Sequence, residues 1–416
     1  MLVDPETELL QHVASEAVRS TLRTIVAIPV RNEAERIGAC LRALDAQVDV
    51  PANSLGIVLF LNNCTDGTGA VVAALARRSP HALRVVERAF AGASAGWARR
   101  EAMEAAADWL DEVEAPGGAI LTTDADSRVA EDWVARNLAA LAEGADVVAG
   151  RIVLDPEEAA GLPDALHARG RLESAYEALL TEIGARIDPD PHDPWPCHWT
   201  ASGASLAVRL SAYRAVGGMP ALPLGEDRAF VACLRARDAR VRHAPDIVIT
   251  TSGRLEGRAQ GGAADTMKLR CAEPECPCDE RLEALPRAVF RYACRRRLRR
   301  LHADGRLGRT RLWAPALGVA RDAAREIAAL SSADQALAAI EAASPRLAHR
   351  PLTPRQLVPQ IARARALAAL LRAGARLRTA LGAVLPDPAS GAGRRLRATA
   401  APDAAVAATA EPIRRG

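Results

Sequence analysis

Two stretches of the chain, Thr24–Val30 (TIVAIPV) and Ile57–Leu61 (IVLFL), are short apolar runs bounded by polar or glycine positions, and weaker versions of the pattern occupy 119–123 and 146–153. Runs of this length and β-branched content predict buried strands. Segments with helical spacing lie between and behind them. Residues 31–46 carry Ile37, Leu41 and Leu44 three and four positions apart, 69–78 and 98–110 are rich in alanine, and 132–141 repeats the period. Strand alternating with helix predicts parallel pairing in a layered α/β sheet. Ligands of such sheets bind outside the carboxyl ends of the strands.

The pattern changes after residue 187. DPDPHDPWPCHWTASG (188–203) holds too much proline for a regular element and predicts a loop carrying His198 and Trp199. Strand candidates follow at 204–208 and 246–251, and the second leads into SGRLEGRAQGG. From Pro286 onward Ala, Leu and Arg recur at helical periods, and the last thirty or so residues have the composition of a loose tail. The expected organisation is a helical lead-in (1–22), an α/β domain (23–260), a linker (261–285), a basic helical extension (286–385) and a flexible tail (386–416).

Composition narrows the class. With 416 residues and 49% apolar content the chain has enough material for a real core. No apolar run reaches the roughly 20 residues needed to cross a bilayer, and MLVDPETELL is acidic where an export signal would be basic. The eight scattered cysteines are therefore expected to be reduced thiols in a cytoplasmic protein. Cys271, Cys276 and Cys278 have the spacing C-x₄-C-x-C, which lacks a paired C-x₂-C and an evident fourth zinc ligand, so free thiols are expected there too.

The net charge of +3 conceals an asymmetry: residues 286–416 carry 25 Arg against 8 Asp and Glu (+17), and residues 1–285 carry 29 basic against 43 acidic side chains (−14). The run YACRRRLRR has little aromatic interleaving and no binding module beside it, which argues against nucleic acid. Its Leu/Arg pattern suits a helix face that docks on the acidic part of the chain or peripherally on anionic lipid at the inner face of a membrane.

The strongest chemical signal is ILTTDADSRVAEDW (120–133), where Asp124 and Asp126 stand one residue apart as a strand runs out. In extended backbone such side chains point the same way, so two carboxylates would repel unless a cation lay near them. Mg²⁺ and Mn²⁺ favour hard oxygen donors and use one or two carboxylates with substrate phosphates completing the shell. The competing reading is a strand end whose aspartates cap the next helix.

Other residues add context. Pro29-Val30-Arg31-Asn32-Glu33 follows the first strand, Asn62-Asn63-Cys64-Thr65-Asp66-Gly67-Thr68 the second, Asp-Ala-Asp a later one, and Gly225-Glu226-Asp227 lies about a hundred residues on. In that order and spacing, over about residues 22–260, the chain resembles the family 2 glycosyltransferases of the GT-A fold. Such enzymes move a sugar from a nucleotide diphosphate to an acceptor hydroxyl.

Carried over by position, the resemblance implies a GT-A-type, Rossmann-like sheet in which Pro29 and Glu33 border the nucleoside. Asn62 stands where the family usually has an aspartate that reads the base, and an amide that both donates and accepts puts the usual uracil preference in doubt. Asp66 matches the second acidic position, with an N-cap role as its alternative. Arg99 falls at the basic position beside the donor, although Arg100 replaces the Asn often seen next.

Asp124 would contact ribose or metal, and Asp126 would ligate Mg²⁺ or Mn²⁺. Asp227 is the expected general base, with Glu226 orienting the acceptor; a plain acidic pair at a helix N-terminus is the alternative. Arg254 and Arg258 would fold over the donor phosphates, and His198 and Trp199 would meet the acceptor, whether glycan, lipid or small molecule. A sugar nucleotidyltransferase would need a Gly-rich basic loop after the first strand, which IPVRNEAERI is not. A phosphatase using D-x-D-x-T/V is imitated by DADSR, but Arg128 fills the fifth position. An inactive scaffold acting through its basic helices is the non-enzymatic alternative.

Overall fold

The structure, a computed structural model, describes residues 10–11, 21–258 and 261–384. The expected helical lead-in falls almost wholly outside these residues, and the expected tail entirely so. Met1–Ala368 form one compact unit and Ala369–Gly416 a second.

The sheet strands are β1 (Leu10–Gln11), β2 (Thr24–Val30), β3 (Leu55–Asn62), β4 (Ala82–Arg88), β5 (Ala119–Thr122), β6 (Arg128–Val129), β7 (Val147–Leu154), β8 (Leu206–Arg209) and β9 (Val241–Thr251). Their order is β1-β4-β3-β2-β5-β8-β7-β9-β6. β4, β3, β2 and β5 run parallel, as the alternation predicts. The sheet is nevertheless mixed: β8 enters antiparallel between β5 and β7, and β6 pairs antiparallel with β9. A strand that arrives from a long loop rather than a helical crossover is free to run either way.

Among the described residues up to 235, helices α1 (Ile37–Asp45), α2 (Thr68–Ala76), α3 (Ala95–Glu112), α4 (Trp133–Ala142), α5 (Pro156–Ala160), α6 (Asp164–Ile187), α7 (Leu210–Ala215) and α8 (Glu226–Arg235) flank the sheet. Alternation along β2 explains the layering. Val26, Ile28 and Val30 face a core completed by Leu41 and Leu44 of α1 and Trp133 of α4, and Ile25 and Ala27 face a second core with Ala102, Met103 and Trp109 of α3 and Phe230 of α8. Period-2 side-chain direction thus covers both faces of one strand.

The stretch expected as a linker contains a helix, α9 (Ala263–Ala272). Beyond it, α10 (Leu285–Ala303), α11 (Ala314–Leu317), α12 (Arg321–Ala328) and α13 (Ala333–Ala343) share a third core around Leu298, Trp313, Leu337 and Ile340. The last helix, α14 (Pro354–Val384), starts inside the first compact unit. Among the described residues no helix is long and apolar enough to cross a membrane.

Candidate active site

The parallel strands β2, β3 and β5 all end on one side, so the loops after Val30, Asn62 and Thr122 gather there. β5 stops at Thr122, and Ser127 N donates to Asp124 O (3.0 Å), closing a turn over Asp-Ala-Asp. The aspartates are therefore not in extended backbone. The turn still leaves both half-buried while Ala125 and Ser127 are buried. Burial pushes the Asp126 carboxyl up to about 7; Asp124 and Glu33 add to the effect and Arg254 opposes it. A neighbouring carboxylate disfavours the charged form of Asp126 in this way.

Arg99 is the hub of the site. It lies on α3, whose first turn is capped by Ser94 Oγ accepting from Trp97 N (3.1 Å). Its guanidinium donates from Nη2 to Asp124 Oδ1 (2.5 Å), from Nε to Glu226 Oε1 (3.2 Å), and from Nη1 to Thr122 Oγ1 (3.0 Å) and Gly203 O (2.8 Å). Burial disfavours the cation, but the Asp124 and Glu226 carboxylates outweigh it and hold the pKa above the usual arginine range. A Cβ on Gly203 would lie 2.2 Å from Arg99 Nε, and one on Gly96 would lie 2.1 Å from Leu222 O, so both glycines permit close backbone approach.

These contacts correct two expectations. Arg99 is only 7% exposed, and all three of its nitrogens are engaged inside the protein, so it is a wall of the site rather than a free donor-binding cation. Glu226 is 6% exposed and turned onto Arg99, so it does not face outward toward an acceptor. Asp227 is half-buried, with Oδ2 accepting from Gly203 N (3.1 Å) and Oδ1 from Arg228 N (2.7 Å). Gly203 thus touches both Arg99 and Asp227 and joins the acidic turn to the N-terminus of α8.

At the ends of β2 and β3, Pro29 closes β2 together with Val30, and Glu33 is 5% exposed. Helix α1 begins only at Ile37, because Glu33 O accepts from both Arg36 N and Ile37 N in a preceding turn. Asn62 ends β3 at 2% exposure, with Oδ1 buried and without a hydrogen-bond partner. Asp66 takes Thr68 N (3.0 Å) and the Thr68 hydroxyl on one oxygen and Ala34 N (3.2 Å) on the other, tying the two strand-end loops together. Arg254 donates from Nη1 to Glu33 Oε2 (2.9 Å) and lies 3.0 Å from Asp126 Oδ2; Arg258 Nε is 3.9 Å from Glu33 Oε1.

The two proline-loop residues are also placed differently from expectation. His198 Nε2 donates to Ala149 O (3.1 Å) while Nδ1 accepts from Thr200 N (3.2 Å), which fixes a neutral tautomer. Burial, then the neighbouring His243, pushes its pKa down to about 4. Trp199 carries the Arg281 guanidinium 5.7 Å from its ring centre, so that arginine occupies one side of the indole.

Sequence reasoning missed Thr122, Gly203 and Glu158. Glu158 Oε2 accepts from Ser252 Oγ (2.6 Å) and Gly253 N (2.7 Å), fastening the start of the Arg254 loop. Nothing local marks it, since its partners lie 94 and 95 residues away.

Among the described residues no group of three or more His, Cys, Asp or Glu side chains forms a self-sufficient metal cage. Asp124 and Asp126 supply two hard oxygen donors in an accessible turn, a set that fits Mg²⁺ or Mn²⁺ when phosphate oxygens fill the remaining positions.

Residues 25–192 match the family model described as glycosyl transferase family 2. No curated protein matches the chain. Among solved structures, the mannosyltransferase PcManGT from Pyrobaculum calidifontis, in complex with GDP-Man and Mn²⁺, is 20% identical over 92% of this chain and 85% of that one, with a TM-score of 0.42. S. aureus TarS 1-349 with UDP-GlcNAc is 17% identical over 77% and 91%, with a TM-score of 0.43. Glucosyl-3-phosphoglycerate synthase from Mycobacterium tuberculosis with Mn²⁺, UDP and glucosyl-3-phosphoglycerate is 17% identical over 63% and 84%, with a TM-score of 0.36. At these TM-scores the assignment of residues stays with the geometry above. The match to glycosyl transferase family 2 runs from β2 through the Asp-Ala-Asp turn to the start of the proline-rich loop, and glycosyl transfer is the class of chemistry that it supports.

Proposed function

We propose that the chain is a metal-dependent, inverting glycosyltransferase that moves a hexose-type sugar from a nucleoside diphosphate to an acceptor hydroxyl. The observation that carries this reading is the Arg99–Gly203 junction. Arg99 donates to Asp124 and to Gly203 O, and Gly203 N donates to the half-buried Asp227, which supports reading these residues as one site.

Asp124 and Asp126 would hold Mg²⁺ or Mn²⁺, which supplies Lewis-acid neutralisation of the charge that grows on the departing diphosphate. Asn62 would meet the base: its buried, unpartnered Oδ1 accepts a base N–H, which removes a desolvation penalty otherwise left in the protein. Asp227 takes the proton from the acceptor hydroxyl as that oxygen attacks the anomeric carbon. Its carboxylate is aimed by the Gly203 and Arg228 amides, and each oxygen keeps a lone pair for the incoming proton. One displacement gives inversion. Glu226 fixes Arg99, and through it the position of Asp124.

Asp227→Asn tests the assignment. It keeps the size and, through its single acceptor oxygen, one of the two backbone contacts, but it cannot accept the proton. Nucleotide binding should persist while kcat for transfer falls by about 10²–10⁴-fold. Loss of nucleotide binding together with transfer would assign Asp227 to the fold or to donor contact instead.

A further inference from the structure

The loop after β9 is fastened up to Gly253 by Glu158, which is itself held by Arg36 Nη2 (3.2 Å). The next residue is Arg254, whose guanidinium meets Glu33, 5% exposed, with both limbs and shares its Nη2 with Asp126, 17% exposed. Its own side chain is 16% exposed, and Arg258, the other arginine of this loop, is 46% exposed. The Oδ2 of Asp126 is therefore already in an ion pair, 3.0 Å from Arg254 Nη2. Asp124 differs in kind, because its partner Arg99 rides on α3 and is locked by four contacts inside the protein.

A divalent cation and a guanidinium on the same carboxylate repel strongly at separations of a few ångström. A diphosphate offers the guanidinium an alternative set of oxygens in the planar geometry that it prefers. Resting on the donor-and-metal reading above, we propose that Arg254 is a counter-ion exchanged between Asp126 and the donor diphosphate, so that metal and donor bind cooperatively. Without diphosphate the metal competes with Arg254 for Asp126. With diphosphate, Arg254 passes to the phosphate oxygens and leaves the carboxylate to the metal. Glu33 keeps Nη1 on its Oε2 throughout while Nη2, shared between Glu33 and Asp126, is the limb that exchanges, which limits the swing to a side-chain movement. Such coupling is reciprocal: each ligand tightens the other by the same factor, typically about 5–150-fold.

The test is Mn²⁺ binding, followed by the loss of the free-ion paramagnetic resonance signal, with and without UDP or GDP. It is run on wild type, Arg254→Met, Arg254→Lys and Asp126→Asn, each checked for folding by its thermal midpoint. Arg254→Met should bind Mn²⁺ alone about tenfold more tightly than wild type, and the enhancement by diphosphate should shrink by about the same factor. Arg254→Lys, which keeps the charge and loses the fork, should lie between the two and carries the comparison if the methionine variant does not fold. Unchanged or weaker Mn²⁺ binding by Arg254→Met, with the diphosphate enhancement intact, would overturn the exchange while leaving the donor-and-metal reading standing. Absence of Mn²⁺ binding by wild type even with diphosphate, or binding by Asp126→Asn equal to wild type, would overturn both.

Discussion

Two arginines meet the same pair of aspartates from opposite walls, and their surroundings assign them different work. Arg99 comes from the N-terminal part of a sheet-packed helix, is 7% exposed and holds Asp124, Glu226, Thr122 and Gly203 at once. Arg254 comes from a glycine-containing loop just beyond its last clamp and holds Glu33 and Asp126. A guanidinium locked on all sides inside a core sets geometry, and one at a loop end is free to change partners. The difference lies in burial and in the element that carries the residue, not in the side-chain chemistry.

The largest way to break this comparison is Arg99→Met. It removes the cation that pairs with both Asp124 and Glu226 and leaves the buried Glu226 carboxylate without that partner, which should cost about 3–5 kcal/mol of stability. Urea unfolding measures it, and a loss under about 1 kcal/mol would mean that Arg99 is not the hub. Gly203→Ala comes next. Its methyl group would press on the Arg99 guanidinium, and overpacking of this kind should cost about 1–3 kcal/mol. Activity should fall with it, because the Gly203 amide also aims Asp227.

A smaller effect sharpens the contrast between fixed and exchangeable groups through pH. His198 is held neutral, with a pKa pushed down to about 4 by burial and then by His243. The unfolded chain binds a proton near the ordinary histidine value of about 6.5, so acidification from there to about 4 favours unfolding. Native stability should therefore decline across that window by up to about 3 kcal/mol from this residue and level off below it. Thermal midpoints against pH should show a shallower slope in His198→Asn. An unchanged slope would place the titration elsewhere.

How much of this was legible beforehand depended on how local each cause is. β2 and β3 were readable because both faces are buried, so nearly every residue is apolar. β4 was not, because ALRVVER alternates charged and apolar residues without a continuous run. The antiparallel entry of β8 was invisible for a different reason: the direction of a strand after a long loop is set by the sheet that receives it. Within the site the carboxylates announced themselves by spacing, and Asp124 and Asp227 are linked through Arg99 and Gly203. Their arginine partners did not, because Arg99 and Glu226 are 127 residues apart and Arg254 and Glu33 are 221 apart. Composition also gave no warning that Glu226 points inward and Asp227 outward; the register of α8 against Arg99 decides that.

The central claim is that the Asp124/Asp126 turn holds a divalent ion against a nucleoside diphosphate. Calorimetric titration of UDP and GDP into wild type and Asp126→Asn, with and without Mn²⁺, tests it most directly. The account predicts nucleotide binding that requires Mn²⁺ in the wild type and is lost in Asp126→Asn without loss of fold. Equal binding by the two proteins, or binding indifferent to the metal, would contradict it.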